Sequence, residues 1–473
     1  MADTGKWKKL HAIVFPLPYQ GHINPFVNLA IKLASEGLTI TFVHAQHIHH
    51  SLTKSSSDQD ADLFAKARKS GLDIRYSIIS DGFPVEYDRR LHFDDYFRSL
   101  LNDFPSRVDE FIGTMIGSGS PPPSVLIADS FFPWHARIAN KYHLLSVSFF
   151  TQPALVFAIG CHWDLLTQNG HFPLKGDTEE EIKYVPGVDS ISTKDMMSYV
   201  KEEEMGTPSL VRYLFAAFQE MKAADFVLHN TVLELEPETL HTLSKKQPTY
   251  AIGPVYSFTN TTTVAKSLRS ESDCMKWLDS KPPGSVLYVS FGSVVQMSKQ
   301  AIQEIAYGLL LSEVNFLWVA RDDILESGDS DIFPDGFQDE IKDRGLIVPW
   351  CDQVMVLSNR GVGGFLTHCG WNSTLESMWC GVPMICNPVT FDQPTNRKLV
   401  VEHLKIGINL SDGRSINREQ VAEKIKDLMS GSVSKGLRNR ADKVKKIMHN
   451  ALDIGGTSAR NLDKFIQDLM AKS

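Results

Sequence analysis

The 473-residue chain has no apolar run of the ~18–20 residues that crossing a bilayer requires. It has no excess of Lys and Arg either. The 48 basic residues against 56 acidic ones leave a net charge of −8, the wrong sign for a nucleic-acid binder. The six Cys, at 161, 274, 351, 369, 380 and 386, show no paired spacing, so reduced thiols in a cytoplasmic protein are expected. The phosphate-binding P-loop is missing, as is the Gly-x-Ser-x-Gly elbow. "GVGGFL" (361–366) begins like a dinucleotide fingerprint, but Leu366 stands where the third Gly is needed. Low-complexity tracts are absent, and 42% hydrophobic with 22% charged residues is the composition of a soluble globular chain.

What is present is an alternation of apolar strand-like runs with amphipathic helices, the signature of βαβ units and parallel sheets. "HAIVFPL" (11–17), interrupted by Pro16, reads as a first buried strand rather than a secretory leader. "INPFVNLAIKLASEG" (23–37) follows as a helix stopped by Gly37. "LTITFVH" (38–44), "SVLIAD" (124–129) and "FVLHN" (226–230) continue the series. A second series runs from "SVLYVSFGS" (285–293) to "PMICNP" (383–388). Between them, 252–273 is Thr/Ser-rich and aperiodic, as a linker would be. The expected architecture is an amino-terminal domain over 1–251, the 252–273 linker and a carboxyl-terminal domain over 274–456. A last helix over 457–473, capped by Thr457 or Ser458, is expected to pack back on the first domain.

In open α/β sheets, side chains at the carboxyl ends of strands face the ligand crevice. His22 in "PYQGHINP" (18–25) and Asp129 in "SVLIAD" both occupy such ends. If their strands are near neighbours, Asp129 can hold the Nδ1 proton of His22 and leave Nε2 as a base. The bland alternatives are a satisfied helix-start histidine and an N-cap carboxylate. "HAQHIHH" (44–50) invites a metal reading, but it has no carboxylate or Cys among its four His and reads as a solvated loop. "DQDAD" (58–62) has Leu63 where a calcium loop needs Gly, and reads as a loop capping a polar helix.

"FLTHCGWNSTLE" (365–376) contains no Lys or Arg, yet a strand ends there and a helix begins. The N–H groups of Gly370 to Ser373 fall in the first helical turn, without internal partners, which makes an anion site supported by the helix dipole. His368, Asn372 and Ser373 can add donors, and Glu376 is placed for paired sugar hydroxyls. Upstream, Trp350 offers a flat face for a base and Gln353 an amide.

The block "WCDQVMVLSNRGVGGFLTHCGWNSTLESMWCGVPMICNPVTFDQ" (350–393) resembles the signature box of plant family 1 UDP-glycosyltransferases. "PYQGHINP", "DGFP" (81–84), "VLIADSFFPW" (125–134), "NTVLELEP" (230–237), "IGP" (252–254) and "VSFGS" (289–293) recur in that family in the same order, so the resemblance spans nearly the whole chain. It implies a GT-B fold, two Rossmann-like domains facing across a cleft. It also implies inverting transfer of glucose from UDP-glucose to a hydroxyl or carboxyl of a small lipophilic metabolite, without a metal or other cofactor. By the same resemblance, Trp350 stacks on uracil, the Cys351 backbone touches the base, and Gln353 and Glu376 bind ribose. His368, Asn372, Ser373 and Ser293 contact the diphosphate. Trp371, Asp392, Gln393 and Thr151 hold the sugar, and His22 with Asp129 supply the base and its orienting carboxylate. The partners implied are a UDP-sugar and a small acceptor, taken by a monomer without nucleic acid or membrane span. Two departures stand out: Asn359 where the family usually has His, and Phe150 where a Trp often precedes Thr151. The acceptor pocket is expected from Phe83, Phe93, Trp134, Phe149, Phe150 and Trp163 in amino-half loops. Two rival readings are a UDP-sugar epimerase or hydrolase on the same fold, and a non-catalytic sugar-nucleotide sensor.

Overall fold

The structure is a computed structural model that describes residues 10–55, 62–118, 121–176, 179–202, 206–256, 272–321, 323–324, 332–411 and 415–473. Most of the expected linker, and all of "DQDAD" except Asp62, lie outside these residues. Seven strands form the first sheet: β1 (His11–Phe15), β2 (Thr39–Ala45), β3 (Ile74–Ile79), β4 (Val125–Asp129), β5 (Leu145–Phe150), β6 (Phe226–His229) and β7 (Thr249–Ala251). All its neighbouring strands are parallel, in the order β3-β2-β1-β4-β5-β6-β7. The central strands β1 and β4 are buried on both faces, which is why they read as unbroken apolar runs.

Six parallel strands form the second sheet: β8 (Val286–Ser290), β9 (Asn315–Val319), β10 (Gly345–Val348), β11 (Val362–Thr367), β12 (Met384–Cys386) and β13 (Gly407–Asn409). Their order is β10-β9-β8-β11-β12-β13. Each sheet therefore reverses its winding once, between β1 and β4 and between β8 and β11, and ligand crevices open at such switch points. Register puts the strand ends level. Phe15 pairs with Ala128, just before Asp129, and Ser290 pairs with Thr367, just before His368.

The helix Thr457–Lys472 buries Leu462, Phe465, Ile466 and Leu469 in the core shared with β1, β2 and β4 of the first sheet. Tyr250 donates its hydroxyl proton to Asp468 at 2.6 Å, and Lys472 reaches Asp225. Neither expected cap acts as one. The cap position is Gly456, while Thr457 Oγ1 donates to Glu234 and Ser458 Oγ to the Gly253 carbonyl. Both hydroxyls moor the helix to the first domain instead.

"HAQHIHH" is a strand end and the start of a helix, Gln46–Ser55, rather than a solvated loop. His44 is fully buried, and Nδ1 lies 2.8 Å from the Tyr76 hydroxyl on β3. Burial pushes its pKa down to about 3, so it stays neutral. His47 faces Asp81 at 3.2 Å. The sequence pattern missed this because the partners, Tyr76 and Asp81, come from a strand and a turn some thirty residues later.

Among the described residues all six thiols are unpaired, no group of side chains could hold a metal, and no helix is long and apolar enough to cross a membrane.

Candidate functional site

The carboxyl ends of the two sheets face each other across a cleft of about 840 Å³. On the amino-terminal side, the chain leaves β1 through two prolines and enters the helix Gln20–Ser35, which carries His22 in its first turn. Asp129 is fully buried at the end of the adjacent β4. His22 Nδ1 lies 2.7 Å from Asp129 Oδ2, while the Phe131 N–H donates to Oδ1 at 3.0 Å. A carboxylate flanked by a backbone donor accepts from Nδ1–H. That sets the tautomer and leaves the Nε2 lone pair for the cleft. The Thr151 hydroxyl, just past β5, is 3.2 Å from His22 Nδ1. Phe131 meets the imidazole edge-on at 5.8 Å.

On the carboxyl-terminal side, β11 runs into His368, Cys369 and Gly370 and then the helix Trp371–Cys380. Cys369 takes a left-handed φ of 65°, which turns the chain sharply enough to aim the helix start into the cleft. The helix has no side-chain cap. Thr374 N–H is the first to bond back, to Gly370 O at 2.9 Å, so the earlier N–H groups are available to an anion. His368 is wedged between two glycines: a Cβ would fall 2.5 Å from its ring at Gly292 and 2.4 Å at Gly370. Burial and the nearby Arg321 charge push its pKa down to about 4, so it enters the site as a neutral donor.

Behind the helix start, Gln353 Nε2 donates to Glu376 at 2.6 Å and to Ser373 Oγ at 2.9 Å, and its amide oxygen accepts from Tyr288. Burial lifts the Glu376 carboxyl to about 7 against the Gln353 bond. Asp392 is lifted to about 6 by burial, offset in part by Asn396 Nδ2 at 2.7 Å. Gln393 commits its oxygen to the N–H groups of Val389 and Thr390. Ser293, Trp350 and Cys351 complete this wall.

Two of these side chains also tie the halves together. The helix Gln20–Ser35 contains Pro25, whose missing N–H leaves the Gly21 carbonyl without its usual i+4 donor. Asn372 Nδ2 supplies one at 2.6 Å. Trp371 donates its indole N–H to the Asn230 carbonyl at 2.8 Å, so toward the cleft it offers backbone rather than that donor. A third tie lies beside Asp392: Ser198 N–H donates to Phe391 O, Phe391 N–H to Ser198 Oγ, and Thr395 Oγ1 to Asp195 O. The buried Asp195 carboxylate meets Arg397 and, at 3.9 Å, Lys398. Asn359 is structural, bridging Asp279 and the Gly361 N–H.

The acceptor half differs from the sequence expectation. Phe93 lines the cleft, but Trp134, Phe149, Phe150 and Trp163 are core and Phe83 stacks on Tyr87 at 4.4 Å. Alternation along β5 sends Phe149 toward Phe26 and Phe150 toward Phe131 and Phe157. Trp134 packs on Phe15 and Phe132, and Trp163 on Phe172. The wall is built instead by Phe97 from the helix Phe93–Asn102 and by Leu210, Tyr213 and Leu214 from the helix Pro208–Met221, with Tyr199 and Phe131. Their i, i+3, i+4 spacing was visible in the sequence, but such stripes ordinarily mark core.

Two parallel-sheet α/β domains, with a histidine–carboxylate pair facing an uncapped helix start, are the GT-B arrangement of a nucleotide-sugar enzyme. Known proteins agree. Residues 174–456 match the family described as UDP-glucoronosyl and UDP-glucosyl transferase. UDP-glycosyltransferase 86A1 of Arabidopsis thaliana is 49% identical, over 99% of this chain and 96% of that protein. The 7-deoxyloganetin glucosyltransferase of Gardenia jasminoides is 34% identical over 98% of each. Among solved structures, Os79 of O. sativa in complex with UDP superposes with a TM-score of 0.82 at 27% identity, covering 97% of this chain and 100% of that one. Phytolacca americana UGT2 with UDP-2fluoro-glucose and pterostilbene gives 0.79 at 26%, covering 98% and 100%. The chain belongs to the plant family 1 UDP-glycosyltransferases.

Proposed function

We propose that the chain transfers glucose from UDP-glucose, with inversion, to a hydroxyl of a small lipophilic metabolite. His22 Nε2 takes the acceptor proton as the acceptor oxygen bonds to the anomeric carbon. The bond to UDP breaks, and its electron pair leaves on the β-phosphate oxygen. Asp129 holds the imidazole and stabilises the imidazolium that forms. Charge growing on the diphosphate meets the N–H groups at 370–373 with His368, Asn372 and Ser293, a set of fixed donors that needs no divalent metal. Trp350, the Cys351 backbone, Gln353 and Glu376 receive the nucleoside. Asp392, Gln393, Thr151 and the Trp371 backbone receive the sugar. The enzyme works as a cytoplasmic monomer.

The observation that carries this reading is the 2.7 Å bond from His22, which lines the cleft, to Asp129 buried behind it. Support comes from the glucosyltransferase named above and from the UDP-2fluoro-glucose bound by Phytolacca americana UGT2. His22→Ala should cut turnover by about 10²–10⁴-fold, the usual worth of a positioned base, and leave UDP affinity unchanged. Wild-type turnover on a neutral alcohol would remove His22 from the role. An α-linked product would overturn inversion, and UDP with free glucose as the sole products would point to a hydrolase.

A further inference from the structure

The two halves of the cleft differ in charge. Arg360, Asp279 and Asp352 lie on the carboxyl-terminal side, near Gln353. Among the described residues lining the acceptor half there is no Lys or Arg. The nearest cations are engaged elsewhere. Arg89 grips both oxygens of Asp81 at 2.6 and 2.9 Å beside the Tyr96 ring, and Arg90 bonds Asp323 across the gap at 2.7 Å. Beside His22, the carboxyl that lines the cleft there is Asp392, while Asp129 lies buried behind the imidazole.

Two neutral donors line the same cleft. Tyr213 and Tyr199 line the cleft, yet both hydroxyls are buried and have no hydrogen-bond partner among the described residues. Tyr213 is near enough to Asp129 to feel its charge, and Tyr199 near enough to Asp392. Both phenols keep their protons, because burial and these carboxylates push their pKa well up. A buried hydroxyl without a partner is a cost that a ligand oxygen removes. Around them Phe97, Phe131, Leu210 and Leu214 offer only apolar surface.

We infer that the acceptor is an uncharged, largely apolar alcohol or phenol with a second neutral oxygen close to its reacting hydroxyl, held by Tyr213 or Tyr199, and that carboxylates are turned away. This rests on the transferase reading and narrows it. A carboxylate entering this half would give up its hydration to face the Asp392 carboxyl with no Lys or Arg lining the wall to pair it. A neutral hydroxyl loses far less and finds a base.

The test uses three probes on one biphenyl skeleton: 2-(4-biphenylyl)ethanol, 1-(4-biphenylyl)ethane-1,2-diol and 4-biphenylacetate. Their affinities for the UDP-loaded full chain are measured by equilibrium dialysis, which does not depend on turnover. The acetate should bind at least about 100-fold more weakly than the ethanol, an unpaired buried charge being the difference. The diol should bind about tenfold more tightly than the ethanol, the worth of one satisfied buried bond. Tyr213→Phe combined with Tyr199→Phe should erase the diol's advantage, bringing the diol-to-ethanol affinity ratio measured in that variant to about one. The inference is overturned if the acetate binds as well as the ethanol, or if the diol has no advantage or keeps it in the double variant. If the binding order holds but UDP-glucose glucosylates none of the probes, the acceptor class stands and the transferase reading fails.

Discussion

Glu376 offers a test of the nucleoside site that does not involve catalysis. In the free protein burial lifts its carboxyl to about 7, against the hydrogen bond that Gln353 donates to it. A ribose diol placed there adds two O–H donors to the ionised form and pulls the pKa down. Below pH 7 the free protein therefore carries a proton that the complex does not. Binding must expel it, so affinity falls as pH falls, by up to tenfold per unit. At pH 5.5 the cost is about 1.5 units, or about 2 kcal/mol, some 30-fold in Kd relative to pH 8.5. Uridine is the right probe, since it has no phosphate to titrate and does not reach Asp392, whose carboxyl titrates at about 6. His368, at about 4, lies outside the window. Calorimetry at pH 6 in two buffers of different ionisation enthalpy should reveal nearly one proton released per uridine bound. Glu376→Gln, and separately 2′,3′-dideoxyuridine with the unaltered chain, should each flatten the profile. A flat profile for uridine itself, or a slope that survives Glu376→Gln, would refute the assignment of Glu376 to the ribose.

Three further outcomes follow from particular contacts. Asp195→Ala leaves Arg397 with Glu402 and Asn409, each at 3.1 Å, and Lys398 with Glu402 at 2.9 Å, and should cost about 2–3 kcal/mol in denaturant unfolding, less than a buried pair stripped of its only partner. Because the same contact seats the loop bearing Asp392, KM for UDP-glucose should rise by about tenfold or more while the Kd of UDP stays put; equal changes in both would place the effect elsewhere. Trp163→Ala should destabilise the fold by about 3–5 kcal/mol through its cavity, as expected of a core residue and not of a pocket wall. Phe93→Ala should do the reverse, raising the acceptor KM with little change in the unfolding midpoint.

The difference between those two aromatics marks where the sequence stopped being legible. Whatever depends on a strand end or a helix start could be read locally. The apolar run ending in Asp129, the break after Thr367 and the uncapped start at Trp371 are each encoded within a few residues. The pairing of His22 with Asp129 needed one further fact, that β1 and β4 are neighbours, which a sequence separation of 107 does not state. The acceptor wall needed more. Phe149 and Phe150 are adjacent in sequence and leave β5 on opposite faces, where Phe26 of the Gln20–Ser35 helix covers the first and Phe131 and Phe157 cover the second. Phe93, Phe97, Leu210, Tyr213 and Leu214 lie on two helices separated by more than a hundred residues, and Phe97 meets Tyr213 edge to face at 4.9 Å. An apolar stripe on a helix says that something will cover it, without saying whether protein or ligand. Here protein covers part of each stripe and leaves the rest to the cleft. The donor site is therefore fixed by local backbone geometry, while the acceptor site is set by how two distant helices lean together. Substitutions that tilt those helices should change which acceptor is taken and leave the uridine profile of Glu376 as it was.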